Sequence, residues 1–204
     1  MSLQTFVKVG EITNLSDARY CAGMGVDLLG FNVVENTDGF VDPAKFAEIT
    51  GWVVGVDYCA EIKTHQPPED LLTSLKNAGI TYVESSSEEI LNSLEGFKKI
   101  YKVIANGADD LITLSEVLKD TRTFADFILV ESENKEIYES IDQVLIDAVD
   151  TPKILKAYGL SEKSVANLNN EVFYGVALKG SEEIKPGYKD FDELAEILEA
   201  LETD

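Results

Sequence analysis

The chain has 204 residues, 45% of them hydrophobic, which suits one domain with a sizeable core and is too short for two ordinary domains. Its formal net charge is −21. That charge argues against a nucleic-acid binder, which must neutralise phosphates with clustered Lys and Arg, and against an anionic membrane surface as a partner. A phosphorylated ligand would need a local cationic pocket.

The cysteine and histidine content argues against disulfides and zinc. Cys21 and Cys59 are far apart in apolar segments and are predicted to be free core thiols of a cytoplasmic protein. With one histidine, His65, and no CxxC pair, no metal site or cofactor is expected. No apolar run approaches the roughly 20 residues of a membrane-spanning helix, and the start does not resemble a signal peptide.

Short β-rich runs alternate along the chain with longer segments of helical periodicity. Strands are predicted at residues 6–9, 27–34, 52–58, 80–83, 100–105, 124–130, 153–157 and 172–178. Helices are predicted at 15–24, 43–49, 71–77, from 87 onward, and at 111–118, 136–146, 161–168 and 191–201.

Eight strand–helix pairs in strict alternation predict the α/β class and a parallel sheet, and eight strands is the number that closes a (β/α)₈ TIM barrel. We therefore expect residues 1–204 to form a single barrel domain. An open doubly wound sheet is the alternative, but it usually has a glycine-rich turn after its first strand, and residues 9–13 form no such turn.

Several short motifs resemble those of one enzyme family, in the same order along the chain. Residues 7–14 read VKVGEITN and are followed by DAR at 17–19, GF at 30–31, FVDP at 40–43, GV at 55–56, AYGL at 157–160 and PGYKD at 186–190. They resemble the phosphoribosylanthranilate isomerases, whose first-strand signature reads approximately VKICGITN. The resemblance extends from residue 7 to about residue 190 and implies the TIM barrel fold.

The resemblance also implies a chemistry. These enzymes catalyse the Amadori rearrangement of N-(5-phosphoribosyl)anthranilate in tryptophan biosynthesis, which needs a general acid at the ribose ring oxygen and a general base at C2. In the family the base is a cysteine that ends strand one and the acid is an aspartate that ends strand six. An arginine after strand two binds the anthranilate carboxylate, and glycine-rich turns after strands six to eight bind the phosphate.

This sequence departs from the family at most of those positions. Gly10 takes the place of the cysteine, Glu11 that of the following glycine, and Gly39 that of the arginine. Glu131 takes the place of the aspartate that serves as the general acid, and the residues ENKE at 133–136 replace the family's GGTG loop. The resemblance therefore implies Glu131 as a candidate acid and Glu11 as a substitute base. The candidate phosphate-binding residues are Gly159, Lys179, Gly180 and Ser181.

Three interpretations of function remain open at this point. The chain is a divergent isomerase that acts on a small phosphorylated sugar, a non-catalytic relative that binds a small ligand or a protein partner, or a barrel enzyme of different chemistry.

Two further features of the sequence bear on the site. Lys8 and Lys102 lie within strands and must pair with carboxylates if they point inward. Several acidic residues lie near predicted strand ends, where they could converge on a hard cation. They are Glu11, Glu35, Asp57, Glu84 and Glu131.

Overall fold

The eight predicted strands form a closed barrel in a computed structural model that describes residues 2–64, 66, 71–120, 124–148, 152–180, 183–185, 188–189 and 192–203. Every neighbouring pair is parallel and the strands follow chain order around the barrel. The strands are β1 (Phe6–Gly10), β2 (Leu28–Asn32), β3 (Asp57–Glu61), β4 (Tyr82–Ser85), β5 (Lys98–Ile104), β6 (Phe127–Glu131), β7 (Lys153–Ala157) and β8 (Gly175–Lys179). The predicted TIM barrel fold is confirmed.

A helix follows each strand along the chain. The helices are α1 (Leu15–Gly23), α2 (Pro43–Thr50), α3 (Leu71–Asn77), α4 (Glu88–Ser93), α5 (Ala108–Asp120), α6 (Tyr138–Asp147), α7 (Glu162–Ala166) and α8 (Asp192–Ala200). A 3₁₀ turn at Lys135–Ile137 precedes α6, and a short antiparallel pair, β9 (Glu183–Lys185) and β10 (Tyr188–Lys189), lies between β8 and α8 in the chain. Within the described ranges, no helix has the length and apolar character needed to cross a membrane.

Local capping explains where several helices begin. Asn14 accepts a hydrogen bond from the Asp17 N–H at 2.9 Å and so starts α1. Asp42 caps α2, and Pro43 occupies its first position. Proline suits this position because its φ is already helical and because it has no backbone N–H that would lack a partner within the helix. Ser161 starts α7 in a reciprocal capping arrangement.

The strands alternate between an outer and an inner face, as a barrel requires. Outward residues such as Val7 and Val9 pack beneath the helices. Inward residues fill the barrel interior; the fully or nearly fully buried ones include Leu28, Cys59, Tyr82, Ile100, Phe127, Leu129 and Leu155. Both cysteines are buried and free, as predicted. Inward positions nearer the carboxyl ends of the strands carry charged side chains, and these form the site.

The predicted third strand is wrong by several residues, and the error affects the site. The apolar run at 52–58 predicts a strand, yet Trp52 is 73% exposed and Val54 is 86% exposed. Gly55 has a φ of +83°, a left-handed conformation that interrupts an extended chain. The strand therefore begins at Asp57 and ends at Glu61. The sixth and eighth strands likewise begin later than predicted, at Phe127 and Gly175.

Candidate functional site

The carboxyl-terminal mouth of the barrel contains a cavity of about 740 Å³, bordered by seven of the eight strands and by the start of α8. This is the face at which TIM barrels hold their active sites. The ammonium groups in its described lining belong to Lys8, Lys102 and Lys179. The carboxylates belong to Glu11, Glu61, Glu84, Glu131, Glu133, Asp192 and Glu193. In the described lining, seven carboxylates and three ammonium groups give a formal balance of −4, so the described part is not the cationic pocket that a phosphorylated ligand needs.

The bottom of the cavity is formed by a buried ion cluster of Lys8, Glu61 and Glu84, which we call the floor cluster. Lys8 Nζ lies 2.6 Å from Glu61 Oε1 and 2.8 Å from Glu84 Oε2. All three side chains are at most 6% exposed. The expectation that Lys8 would need carboxylate partners inside the barrel is confirmed.

The floor pair of Lys8 and Glu61 is ionised at neutral pH. Burial alone would lower the pKa of Lys8, but the charges of Glu61 and Glu84 raise it well above its usual value. Burial alone would raise the pKa of Glu61, but the charge and hydrogen bond of Lys8 hold it below its usual value. The pair therefore contributes to stability as an ion pair, and Glu61 is a weak base.

This lowered pKa predicts a loss of stability in acid. A carboxyl group whose pKa is lower in the folded than in the unfolded chain stabilises the fold fully above its unfolded value, here 4.5. This contribution is lost as the pH falls from that value through the pKa of Glu61 in the folded chain. The total loss is about 1.4 kcal/mol for each pH unit that separates the folded and unfolded pKa values. Urea unfolding between neutral pH and strong acid measures it. Glu61→Gln should flatten the acid limb and the exposed control Glu89→Gln should not; equal slopes in both would contradict the assignment.

Glu61 takes the space in which the family's base would stand. A Cβ built on Gly10 would overlap Glu61 Oε1 and lie 2.9 Å from Lys8 Nζ. A Cβ on Gly30, in the neighbouring strand, would also overlap Glu61 Oε1. Two facing glycines thus make room for one carboxylate. Sequence reasoning missed Glu61 because it lies beyond the predicted third strand.

Glu11, the predicted substitute base, is turned toward the rim. It has a φ of +58°, a left-handed conformation that glycine, the residue of the family's signature at this position, adopts more readily than glutamate. Its N–H donates to Glu61 Oε2 at 3.2 Å, and its carboxylate pairs with Lys63 Nζ at 3.0 Å. Glu11 borders the cavity, but its charge is already matched by a lysine.

Glu131, the predicted acid, is held between two lysines in a second group, the mouth cluster of Lys102, Glu131 and Lys179. Its Oε2 lies 2.5 Å from Lys102 Nζ and its Oε1 lies 2.6 Å from Lys179 Nζ. Partial burial would raise the pKa of Glu131, but hydrogen bonds and charge from both lysines keep it below its usual value. Glu131 is therefore a carboxylate at neutral pH and has no proton to donate as a general acid.

The described phosphate-binding candidates share one side of the mouth, and two of them, Lys179 and Gly180, already donate to groups of the chain itself. Lys179 pairs with Glu131, and the Gly180 N–H donates to Gly10 O at 2.7 Å. Gly159 has a φ of +59°, and a Cβ there would lie 2.8 Å from the ring of Tyr138. Ser181 lies outside the described residues.

In the loop that replaces the GGTG turn, between β6 and α6, backbone N–H groups likewise donate to oxygens of the chain itself. The N–H of Glu133 donates to Asn106 Oδ1 at 2.9 Å, that of Asn134 donates to Ser132 Oγ at 3.2 Å, and that of Glu136 donates to Asn134 Oδ1 at 3.1 Å. These three N–H groups are thus satisfied within the chain, whereas a phosphate cradle presents such groups to the ligand.

The five acidic residues that lie near predicted strand ends do not converge at one place. Asp57 starts β3 and so lies at the opposite end of the barrel, while Glu35 is exposed in the loop after β2. Glu84 and Glu131 are paired with lysines. In the part of the chain that the structure describes, no three acidic, Cys or His side chains could hold a metal ion.

No family model matches the chain, but curated relatives match along nearly its whole length. An N-(5'-phosphoribosyl)anthranilate isomerase from a Nitratiruptor species is 26% identical over 198 residues, covering 95% of this chain and 96% of the relative. One from Rubrobacter xylanophilus is 28% identical over 193 residues, covering 90% of this chain and 92% of the relative.

The fold is also similar to solved structures of the same kind of enzyme. The crystal structure of phosphoribosyl anthranilate isomerase from Thermotoga maritima superimposes with a TM-score of 0.75 at 19% identity, covering 97% of this chain and 98% of that chain. The full-length relatives and the shared barrel agree with the ordered motifs: along nearly its whole length the chain is similar to phosphoribosylanthranilate isomerases.

Proposed function

We propose that this chain is a barrel derived from the phosphoribosylanthranilate isomerases that no longer catalyses their rearrangement and instead binds a small ligand in its mouth. The observation that carries the proposal is the position of Glu61, whose carboxylate takes the space that a side chain on Gly10 would need. The family's base cannot be present there unless the floor cluster moves.

The described carboxylates near Gly10 are poor substitutes for that base. Glu61 accepts from Lys8 with one oxygen and from the Glu11 N–H with the other, and its lowered pKa weakens it as a proton acceptor. Glu11 is paired with Lys63 at the rim. Among the residues that the structure describes, none is therefore a suitable base for proton abstraction at C2 of the family's substrate.

The acid and the electrostatics also oppose the reaction. Glu131 is ionised, so protonation of a ribose ring oxygen would need another donor. The family's substrate carries a phosphate and a carboxylate, and the formal balance of −4 among the described lining residues opposes the binding of both. The cavity of about 740 Å³ nevertheless lies within the size range of small-molecule sites. A barrel that lacks the acid and the base of the family's reaction but keeps a cavity of this size supports the proposal that it binds a small ligand.

A growth test shows whether the chain can still catalyse the isomerase reaction in a living cell. The chain is expressed in a bacterial host that lacks its own isomerase and cannot grow without added tryptophan, with the Nitratiruptor relative as positive control. We expect growth with the relative and none with this chain, although an immunoblot shows both proteins in the soluble fraction. Growth supported by this chain at the rate of the positive control would refute the proposal.

A further inference from the structure

The barrel wall has a gap between β7 and β8 at the mouth. The last residues at which these two strands pair with each other are Lys156 and Val176. On their other sides both strands stay paired to their ends, because β7 pairs with β6 as far as Ala157 and β8 pairs with β1 as far as Lys179. Beyond Lys156 and Val176, β7 and β8 therefore present two unpaired strand edges to each other.

Tyr158, the residue that follows β7, lies at this gap with unsatisfied backbone groups. If the ladder continued, the Tyr158 N–H would donate to Ala177 O and the Lys179 N–H would donate to Tyr158 O. Neither bond is formed, and within the described residues the Tyr158 N–H and C=O have no other hydrogen-bond partner. Tyr158 is only 2% exposed. Buried backbone groups are nearly always paired, so these two groups require an explanation.

The gap connects the cavity with the apolar layer outside the barrel. Tyr158 and Leu178, on its two sides, both border the cavity. Leu178 belongs to the outward cluster beneath the helices, together with Leu194 and Ile197 of α8. The cavity therefore extends through the barrel wall and ends on aliphatic side chains. We call this part of it, lined by Leu160, Leu178, Leu194 and Ile197, the apolar arm.

The charges of the cavity favour an uncharged ligand. Three lysines and three glutamates in the described lining pair with one another, and they are Lys8, Lys102, Lys179, Glu61, Glu84 and Glu131. These six groups leave no net charge for a ligand to balance. The other described carboxylates of the lining oppose an anion, and they belong to Glu11, Glu133, Asp192 and Glu193. A charged group placed in the apolar arm would lose its hydration without gaining a partner.

We propose that the gap binds a small uncharged amide that carries an aliphatic side chain. The ligand's carbonyl accepts from the Tyr158 N–H, and its own N–H donates to the Tyr158 carbonyl, as a neighbouring strand would. Its side chain packs in the apolar arm. The proposal rests on the ligand-binding function proposed above and specifies the chemistry of the ligand.

Four compounds with a common scaffold test this selectivity. N-acetyl-leucine methylamide is uncharged, N-acetyl-leucine is its anionic analogue, leucine methylamide is its cationic analogue, and N-acetylglycine methylamide lacks the aliphatic side chain. Each is titrated into ¹⁵N-labelled protein at constant physiological ionic strength, which weakens association with surface charge. We expect saturable amide shifts from N-acetyl-leucine methylamide, and binding weaker by about tenfold or more for the other three compounds.

The backbone amide of Tyr158 reports where the ligand binds. We expect its signal to shift on saturation and its hydrogen exchange to slow, because the ligand supplies the missing acceptor.

A pair of size-matched variants gives a second test of the location. Ala157 borders the cavity at the gap, and Ala157→Leu places an isopropyl group there. We expect this variant to weaken binding by about tenfold or more. Ala166→Leu makes the same change at an exposed position at the end of α7 and should leave binding unchanged.

Several results would overturn the proposal. They are no saturable binding of N-acetyl-leucine methylamide, binding of any of the other three compounds that is equally tight or tighter, a Tyr158 amide that does not respond at saturation, and equal binding by the two variants. If Ala157→Leu does not fold, the response of the Tyr158 amide in the unmodified protein decides. Growth in the tryptophan test would refute the function itself, whereas absence of amide binding without growth overturns only the ligand chemistry.

Discussion

Replacing Lys8 with methionine is expected to destabilise the protein by about 3–5 kcal/mol, the usual cost of removing one partner from a buried ion cluster. The substitution leaves Glu61 and Glu84 facing each other, nearly without solvent, with no positive charge between them. Urea unfolding followed by circular dichroism measures the change in the free energy of unfolding.

Two comparisons make the Lys8 result specific to the floor cluster. Lys63→Met removes a lysine whose side chain is 35% exposed and pairs with Glu11, so it should cost less than about 1 kcal/mol. Adding Glu61→Gln and Glu84→Gln to Lys8→Met should recover most of the loss, because the floor cluster then holds no charge. A cost for Lys8→Met no larger than that of Lys63→Met would show that the floor cluster is not ionised.

The second large effect is expected at Gly10. Gly10→Ala should destabilise the fold by about 3 kcal/mol, near the upper end of the cost of overpacking a core. Gly10 has no positive φ, so the cost is steric: the new Cβ overlaps Glu61 Oε1. The control is Gly23→Ala at the end of α1, where a Cβ would meet nothing within 4 Å. That change should stay within about 0.5 kcal/mol.

A double-mutant cycle attributes the Gly10 cost to Glu61. Glu61→Ala vacates the space and leaves Lys8 paired with Glu84 alone, a balanced pair. In that background Gly10→Ala should cost less than about 1 kcal/mol, so the two substitutions couple by about 2 kcal/mol. Additive effects would mean that Glu61 does not fill the space beside Gly10.

The barrel could be predicted from the sequence because its signals are local. Alternation of β-rich runs with helical periodicity fixes the order of elements, and caps such as Asn14 and Asp42 mark helix starts within a few residues. Lys8 and Lys102 could be identified as lysines that need acidic partners if they point into the barrel, because an unpaired buried charge is costly.

The acidic partners of these two lysines could not be predicted, because they depend on the register between strands that are distant in the sequence. Glu61 comes from β3, two strands from Lys8 around the barrel, and the apolar segment before Gly55 displaces the predicted strand away from it. Glu131 can be identified as a candidate acid by its position in the chain. Its ionised state depends on Lys102 and Lys179, which come from two other strands.

The measurement that tests the loss of catalysis most directly is turnover of freshly made N-(5-phosphoribosyl)anthranilate, followed by the loss of its fluorescence. It is made at high protein concentration, with Glu131→Gln beside the unmodified chain and the Nitratiruptor relative as positive control. We expect no turnover above background for either version of this chain, because Glu61 fills the base position and Glu131 has no proton to donate. Turnover by the unmodified chain that disappears in Glu131→Gln would contradict it and would make Glu131 the acid of a working isomerase.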